Sequence, residues 1–384
     1  MKISNTRHIT EKIMQSMQIK EISSTVNMII TNSIDSYFSI PPEPDKLRKE
    51  AELIQKEVPE YSVDRIMMLL MVESMIEPYL EQQPEEMGVL MNCIAAESKV
   101  FDVEKFNKNP YIQNIDFTNQ ENGDFELCYD VMMPYELYIY DIPKRIKELY
   151  VDIQRVGCFT EEFKYPLIVQ KSIKSTWMSI SPNEIFTMSS PIKNAKGKVL
   201  TLGCGIGYFA YMASLKEDVE SVTIIELEQN VIELFENYLL PQFENKEKIT
   251  IIKADAIEYL RNMEDGEFDY CFADIWIGIY DIEQYLAVKQ IGRHLRKTKM
   301  EYWIEESFAI FLSNYVWIEI LFAFSNNIGI SLIDEHIITG LDKRTMKYVQ
   351  ELLQDVEITK PEHIDYYMDP KNILNLVNIT QIIF

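Results

Sequence analysis

The sequence predicts an α/β protein, with a doubly wound, mostly parallel sheet behind a mostly helical N-terminal domain and a short β segment between them. Three observations carry this. From Gly197 onward, five short apolar runs each lead into a stretch of helical spacing, the pattern of a parallel sheet with helices on both faces. Those runs are almost continuously apolar, as strands covered on both sides must be. Upstream, apolar residues recur at helical spacing between Pro-rich breaks.

The elements follow in order. Pro41-Pro42-Glu43-Pro44 marks a linker or cap, because consecutive prolines cannot lie inside a helix. Leu47, Ala51 and Ile54 then define a helix that stops at Pro59, and Ser62-Val-Asp-Arg opens another that closes before Pro78. Pro84-Glu85-Glu86 reads as a first helical turn, where proline and acids are favoured. The methionines at 67, 68, 71, 75, 87 and 91 read as core filler. Phe125–Met133 and Tyr135–Tyr140 are short aromatic and branched runs, and 144–151 looks helical. Cys158-Phe159, Leu167–Gln170 and Thr176–Ile180 read as strands. The expected organisation is a helical domain over 1–150, a β segment over 151–190, the sheet domain over 191–330 and a helical extension over 331–384.

Within the sheet domain the expected strands are Lys198–Leu202, Ser221–Glu226, Ile249–Lys253, Phe268–Asp274 and Met300–Glu305. The helices between and after them are Tyr208–Leu215, Gln229–Leu239, Ile257–Met263, Ile282–Leu295 and Ser307–Phe324. The last is the longest apolar stretch; it carries Ser313, Asn314 and Glu319, falls short of the ~20 residues that span a bilayer, and reads as a buried helix.

Composition narrows the function. The 384 residues allow two or three domains. With 37 Lys+Arg against 61 Asp+Glu, the formal charge is −24, a field that repels phosphate backbones and anionic lipid heads. Neither nucleic acid nor a membrane is an expected partner, and a cationic or neutral one fits better. The five cysteines form no C-x-x-C pair and the four histidines no H-x-x-x-H pair, so neither a disulfide framework nor a metal site is expected. The first twenty residues lack the apolar core of a signal peptide, which points to a reducing, cytoplasmic setting of bacterial type.

The chemistry concentrates where the strands end. The first strand runs into Gly203-Cys204-Gly205-Ile206-Gly207-Tyr208, and glycines there let a ligand lie against bare main chain at a helix N-terminus. The dinucleotide fingerprint would need glycine at 208, where Tyr stands, which disfavours a nicotinamide or flavin. Glu226 ends the second strand, where a carboxylate can accept from both ribose hydroxyls; the alternative is a solvated acid in the Glu226-Leu227-Glu228 run. Asp255, followed by Ala256, ends the third, placed to accept from an adenine amino group or to cap the next helix. Asp274 ends the fourth, beside the switch point where ligands bind open α/β sheets, in a catalytic or a structural role.

Taken together, Val199–Gly207, Ile224–Glu226, Asp255-Ala256 and Phe268–Asp274 resemble the successive motifs of class I S-adenosylmethionine-dependent methyltransferases, over about residues 190–310. That resemblance implies a seven-stranded Rossmann-like fold and S-adenosyl-L-methionine as cofactor. Gly203, Gly205 and Gly207 would carry the methionine portion, Glu226 the ribose, Asp255 and Ala256 the adenine, and Asp274 would line the reaction centre. Cys204, Tyr208 and Leu227 flank these positions and are expected to contribute to the cofactor site. Thr201 stands where many such enzymes have an acid.

Within that clan the chain resembles the spermidine-synthase-like branch, which also lacks that acid, places short strands ahead of the sheet domain, and carries a Glu-x-Asp comparable to Glu226-x-Glu228. Trp177–Glu184 resembles uncharacterised bacterial members of the branch. Aminopropyltransferases, however, carry an acid where Ile206 stands and follow the fourth strand with Asp-Ser-x-Asp-Pro, where this chain has Asp274-Ile-Trp-Ile. The leading expectation is methyl transfer to a small-molecule or protein acceptor, cationic or amine in kind. The second is aminopropyl transfer from the decarboxylated cofactor, and the third a non-catalytic adenosyl-ligand binder. Asp274, Tyr280, Asp281 and Glu305 are the expected catalytic residues, with Glu306 beside them and Trp276 as pocket wall or core. A homodimer is compatible with all three.

Overall fold

A computed structural model describes residues 1–35, 43–80, 84–118, 120–146, 151–333 and 342–380. The break at Pro41-Pro42 falls outside them, as does half of the stretch expected to be helical over 144–151.

The chain opens with β1 (Lys2–Ile3) and a 29-residue helix, α1 (Arg7–Asp35). Along α1, Ile9 and Ile13 enter one core while Ile22, Val26 and Ile30 enter a second, so a single helix joins two packed units. α2 (Pro44–Gln55), α3 (Val63–Leu80) and α4 (Pro84–Glu97) follow. The second core takes Met67, Met68 and Met71 from α3, as their spacing implies. α3 runs through Pro78 rather than ending before it, because in the last turn proline forfeits only one ladder bond. After β2 (Lys99–Phe101) come two one-turn helices, α5 (Val103–Asn107) and α6 (Pro110–Asn114).

β structure begins well before 151. β3 (Gln120–Asn122), β4 (Phe125–Met132), β5 (Tyr138–Ile146), β6 (Val151–Phe159), β7 (Phe163–Gln170) and β8 (Ser175–Ser179) build two small sheets. One has the order β2-β6-β5 and the other β3-β4-β7-β8. Residues 144–146 are therefore strand, not helix. Lys144, Arg145 and Ile146 pair across the ladder with Ile153, Asp152 and Val151. Tertiary partners override local propensity here.

α7 (Pro182–Asn194) leads into the principal sheet: β9 (Gly197–Leu202), β10 (Val219–Glu226), β11 (Ile249–Lys253), β12 (Tyr270–Ala273) and β13 (Lys299–Tyr302). All neighbours are parallel, in the order β11-β10-β9-β12-β13. Between them lie α8 (Tyr208–Ser214), α9 (Gln229–Leu234) with a π-helical turn over Phe235–Leu239, α10 (Ala256–Asn262) and α11 (Ile282–Ile291). Each expected strand–helix unit is present, with shifts of a few residues at the ends.

Two expectations for the far end are corrected. β13 stops at Tyr302, because Ile304 adopts a left-handed conformation (φ 49°) that starts α12 (Glu305–Ile328). The sheet has five strands among the described residues, not seven. α12 continues to Ile328, and Gly329 caps it at φ 71°. At 24 residues α12 is long and apolar enough to cross a membrane, the one such helix among the described residues, but two thirds of its most apolar stretch is buried inside the protein.

α13 (Lys343–Leu352), β14 (Glu357–Ile358), α14 (Pro361–Met368) and α15 (Pro370–Ile379) complete the chain. β14 pairs in parallel with β1, and the buried guanidinium of Arg145 donates to the Met368 carbonyl at 2.9 Å. The C-terminal segment therefore fastens onto the N-terminal part as well as the sheet.

Candidate active site

Parallel register brings the strand tips to one edge. Leu202 lies opposite both Ile225 and Ala273, and Glu226 opposite Lys253. Backbone bonds continue beyond the strands: Gly203 N–H to the Ile225 carbonyl (2.9 Å), Asp274 N–H to Leu202 (2.9 Å) and Ala254 N–H to Glu226 (3.0 Å).

The glycine loop is shaped by close approach. At Gly203 (φ 98°) an added Cβ would sit 2.1 Å from the Asp274 carbonyl oxygen, so only glycine lets the first loop cross the fourth. At Gly205 (φ 51°) the Cβ would meet the Met178 methyl at 2.9 Å, which places β8 over the loop. Gly207 caps α8. From below, the Tyr111 hydroxyl donates to the Ile206 carbonyl and Asn109 Nδ2 donates to the Tyr208 hydroxyl at 2.9 Å. Tyr208 and Cys204 are both buried, and burial pushes the Cys204 thiol well up.

Glu226 turns into this loop. One carboxylate oxygen accepts from the Cys204 N–H at 2.9 Å, and the other from the N–H groups of Leu227 and Glu228, each at 2.8 Å. The carboxylate thus clamps two strand tips and is not a freely solvated acid. Leu227 is 62% exposed. The Asp255 carboxylate accepts from the Glu258 N–H at 2.8 Å, so the cap role is realised, and Ala256 is the first residue of α10.

The acid at the fourth tip has a partner that sequence reasoning missed. Burial pushes the Asp274 carboxyl up to about 7. It also pushes Glu184, in the first turn of α7, well above the carboxylate range, and the charge of Asp274 pushes it further the same way. One oxygen of Glu184 is buried without a hydrogen-bond partner. A signal existed, since Ser181-Pro-Asn-Glu184 has the spacing of a capping box. A capping glutamate would turn back to the Ser181 N–H; this one is buried near Asp274 instead. A buried carboxyl under the influence of another carboxyl's charge favours its protonated form or a bound cation.

The remaining expected residues do not gather around Asp274. Asp281 Oδ2 accepts from the Ile277 and Gly278 N–H groups (2.7 and 3.3 Å) and shapes that loop. Tyr280 is 86% exposed and meets Phe311 edge-on. Glu305 faces α11, where it is paired with Lys289 and accepts from the Tyr285 hydroxyl at 2.9 Å. Glu306 is exposed. Trp276 belongs to the core, donating from Nε1 to the Trp303 carbonyl at 3.2 Å and packing edge-on against Tyr285 and Phe308. No group of three His, Cys, Asp or Glu among the described residues could hold a metal ion.

Beside this edge lies a cavity of about 490 Å³. Its walls come from α1, the β5–β6 hairpin, the loops after β12 and β13, and Asn183 of α7.

Comparison with known proteins bears on the central third of the chain. The family model of the spermine/spermidine synthase domain matches residues 183–290. No curated protein matches. Among solved structures, the spermidine synthase of Thermotoga maritima is 18% identical over 36% of this chain and 52% of its own, with a TM-score of 0.27. A spermidine synthase in complex with the transition-state analogue AdoDATO is also 18% identical, over 36% and 54%, with a TM-score of 0.28. A candidate caffeoyl-CoA O-methyltransferase of Staphylococcus aureus is 19% identical over 45% and 72%, with a TM-score of 0.27. The chain spans about half the length of the two spermidine synthase structures it matches. The family match and the parallel order of the principal sheet agree on the architecture: the chain carries a spermidine-synthase- and methyltransferase-like Rossmann fold.

Proposed function

We propose that this chain is a transferase that alkylates an amine with an S-adenosyl sulfonium donor, methyl transfer from S-adenosyl-L-methionine being the leading reading. The observation that carries it is the pair of buried carboxyls, Asp274 and Glu184, at the strand edge that also holds the glycine loop and Glu226. The residues fit such a donor. Glu226 keeps lone pairs for ribose hydroxyls while its bonds to N–H groups hold it in place. The orphaned oxygen of Glu184 suits a cation.

The donor, when bound, supplies a carbon activated by a positive sulfur. The protein has to align the acceptor and manage one proton. As the amine nitrogen bonds to that carbon and the sulfur–carbon bond breaks, the amine sheds a proton. Asp274, titrating near 7, can take it. Glu184, whose carboxyl burial pushes well above the usual carboxylate range, offers its unpartnered oxygen to the amine. Tyr280, Asp281 and Glu305 are left to shape the walls and the α11–α12 contact. The neighbouring cavity suits a small-molecule acceptor, and the five free thiols are consistent with a reducing, cytoplasmic setting.

Aminopropyl transfer is the second reading, favoured by the spermine/spermidine synthase match and by the additional acid Glu184. Against it, Ile206 is buried and its carbonyl takes the Tyr111 hydroxyl, so no carboxylate projects from the glycine loop there. Incubating the protein and a pool of primary amines with carbon-labelled donor, in its carboxylated and decarboxylated forms, tests both readings. Labelled methyl in the amine fraction supports the first and labelled aminopropyl the second. No label from either form leaves amine alkylation without support.

A further inference from the structure

The glycine loop is held by a segment from outside the sheet domain. Ile206 stands between two glycines in the left-handed region, Gly205 (φ 51°) and Gly207 (φ 74°). Its carbonyl accepts from the hydroxyl of Tyr111, which lies 95 positions earlier in the chain. Tyr111 is fully buried, and burial holds its hydroxyl well above the usual tyrosine range, so it keeps the proton it donates. The rings of Tyr208 and Tyr211 meet the Tyr111 ring edge-on, each at 5.4 Å between centroids.

Tyr111 is itself fixed. Its backbone N–H donates to the Asn109 side chain at 3.0 Å, and the amide of Asn109 donates to the Tyr208 hydroxyl at 2.9 Å. At the other end of α6, Asn114 donates to the Tyr211 hydroxyl at 2.9 Å and to Glu244 at 3.0 Å. The brace continues along the chain, with Asp116 N–H donating to Gln242 at 2.8 Å and Asn122 to Glu233 at 2.7 Å. Of these contacts, the one made by the Tyr111 hydroxyl reaches the main chain of the loop.

That bond has a physical task. Glycine accepts either sign of φ, so the peptide between Ile206 and Gly207 can turn over at little local cost. Turned over, it would lose the bond from the Gly207 N–H to the Cys204 carbonyl (2.8 Å) and would aim a carbonyl oxygen where the N–H now lies. It would also leave the buried Tyr111 hydroxyl unpaired, which opposes the turn.

We propose that Tyr111 is a positioning residue for the donor: by holding the Ile206 carbonyl in the core, it sets the glycine loop in its receiving arrangement before the donor arrives. This rests on the adenosyl-donor reading, with the methionine end against loop 203–207 as the resemblance implies. A loop ordered in advance spares the ligand the cost of ordering it. Loss of the hydroxyl therefore weakens a ligand that uses the loop, and spares one that uses only the tips carrying Glu226 and Asp255.

The experiment is calorimetric titration of the full chain with S-adenosyl-L-methionine, its decarboxylated form and 5′-methylthioadenosine, which keeps the nucleoside but lacks the amine-bearing chain. Tyr111→Phe should weaken the better-bound sulfonium about tenfold and 5′-methylthioadenosine by less than about twofold. Tyr211→Phe, which removes a hydroxyl from the same aromatic cluster without touching the loop, should weaken neither by more than about twofold. Circular dichroism reports whether each variant is folded. If Tyr111→Phe does not fold, Asn109→Ala, which releases both the Tyr111 N–H and the Tyr208 hydroxyl, takes its place and should show the same selective loss. A folded variant that binds the sulfonium like the parent overturns the proposal. So does an equal loss for 5′-methylthioadenosine, or an equal loss in Tyr211→Phe, since either marks a general structural effect. A parent that binds none of the three compounds overturns the donor reading and this inference with it, an outcome distinct from a parent that binds and a variant that binds equally.

Discussion

Asp274 is the residue where stability and chemistry pull in opposite directions. An aspartate that titrates near 7 in the folded chain and near 3.8 when free holds its proton in the fold while the unfolded chain has released it. Unfolding then sheds a proton across that window, so stability falls as pH rises from about 4 to about 7 and levels off above. At ~1.4 kcal/mol per unit, the loss assignable to this group is about 4 kcal/mol at most. Asp274→Asn should be unable to accept the amine's proton, yet should be more stable than the parent above pH 7 and no different near pH 4. Urea unfolding of both proteins between pH 4 and 8 checks this, and parallel pH profiles would contradict it. Such a trade is a common mark of a functional site. The neighbouring Glu184 shows the limit of reading residues in sequence. Its spacing from Ser181 spells a helix cap, and only the fold buries it within reach of the Asp274 charge.

At the scale of elements, the parallel sheet was legible because its code is local. Each strand is a short apolar run ended by Gly, Glu or Asp, and β9 to β13 appear within a few residues of their expected limits. The tips carrying Gly203, Glu226, Asp255 and Asp274 were legible for the same reason. The β5–β6 hairpin was not, since its charged residues find their partners across a ladder and beyond it. Arg145 is the clearest case: buried, held by Asp152, donating to the Ser313 hydroxyl at 2.6 Å and to the Met368 carbonyl. It joins hairpin, α12 and α14, which lie far apart in sequence. Arg145→Leu removes the two-nitrogen partner of the Asp152 carboxylate and should cost about 3–5 kcal/mol, the usual range for breaking a buried pair from one side. Urea unfolding measures it; a loss under ~1 kcal/mol would show that the pair is solvated and the hairpin joined to the helices by other contacts.

The whole molecule is less divided than its sequence suggests. Composition separates helical, β and sheet stretches, but α1 contributes to two cores and β14 returns to pair with β1. The cavity lies where these parts meet, walled by residues from 20 to 314, and no local pattern could reveal it. The sheet stops at five strands among the described residues, where the resemblance implied seven, and α12 follows as the helix expected over Ser307–Phe324. On the proposed function, the edge where β9, β10, β11 and β12 finish holds an adenosyl sulfonium. Calorimetric titration with S-adenosyl-L-methionine and its decarboxylated form, on the parent and on Glu226→Ala, tests this most directly. The account predicts saturable one-to-one binding of at least one of the two. It also predicts a loss of roughly 1.5–3 kcal/mol in the folded variant, as a charge-assisted ribose contact disappears. No heat from either compound, or a dissociation constant unchanged in Glu226→Ala, would contradict it.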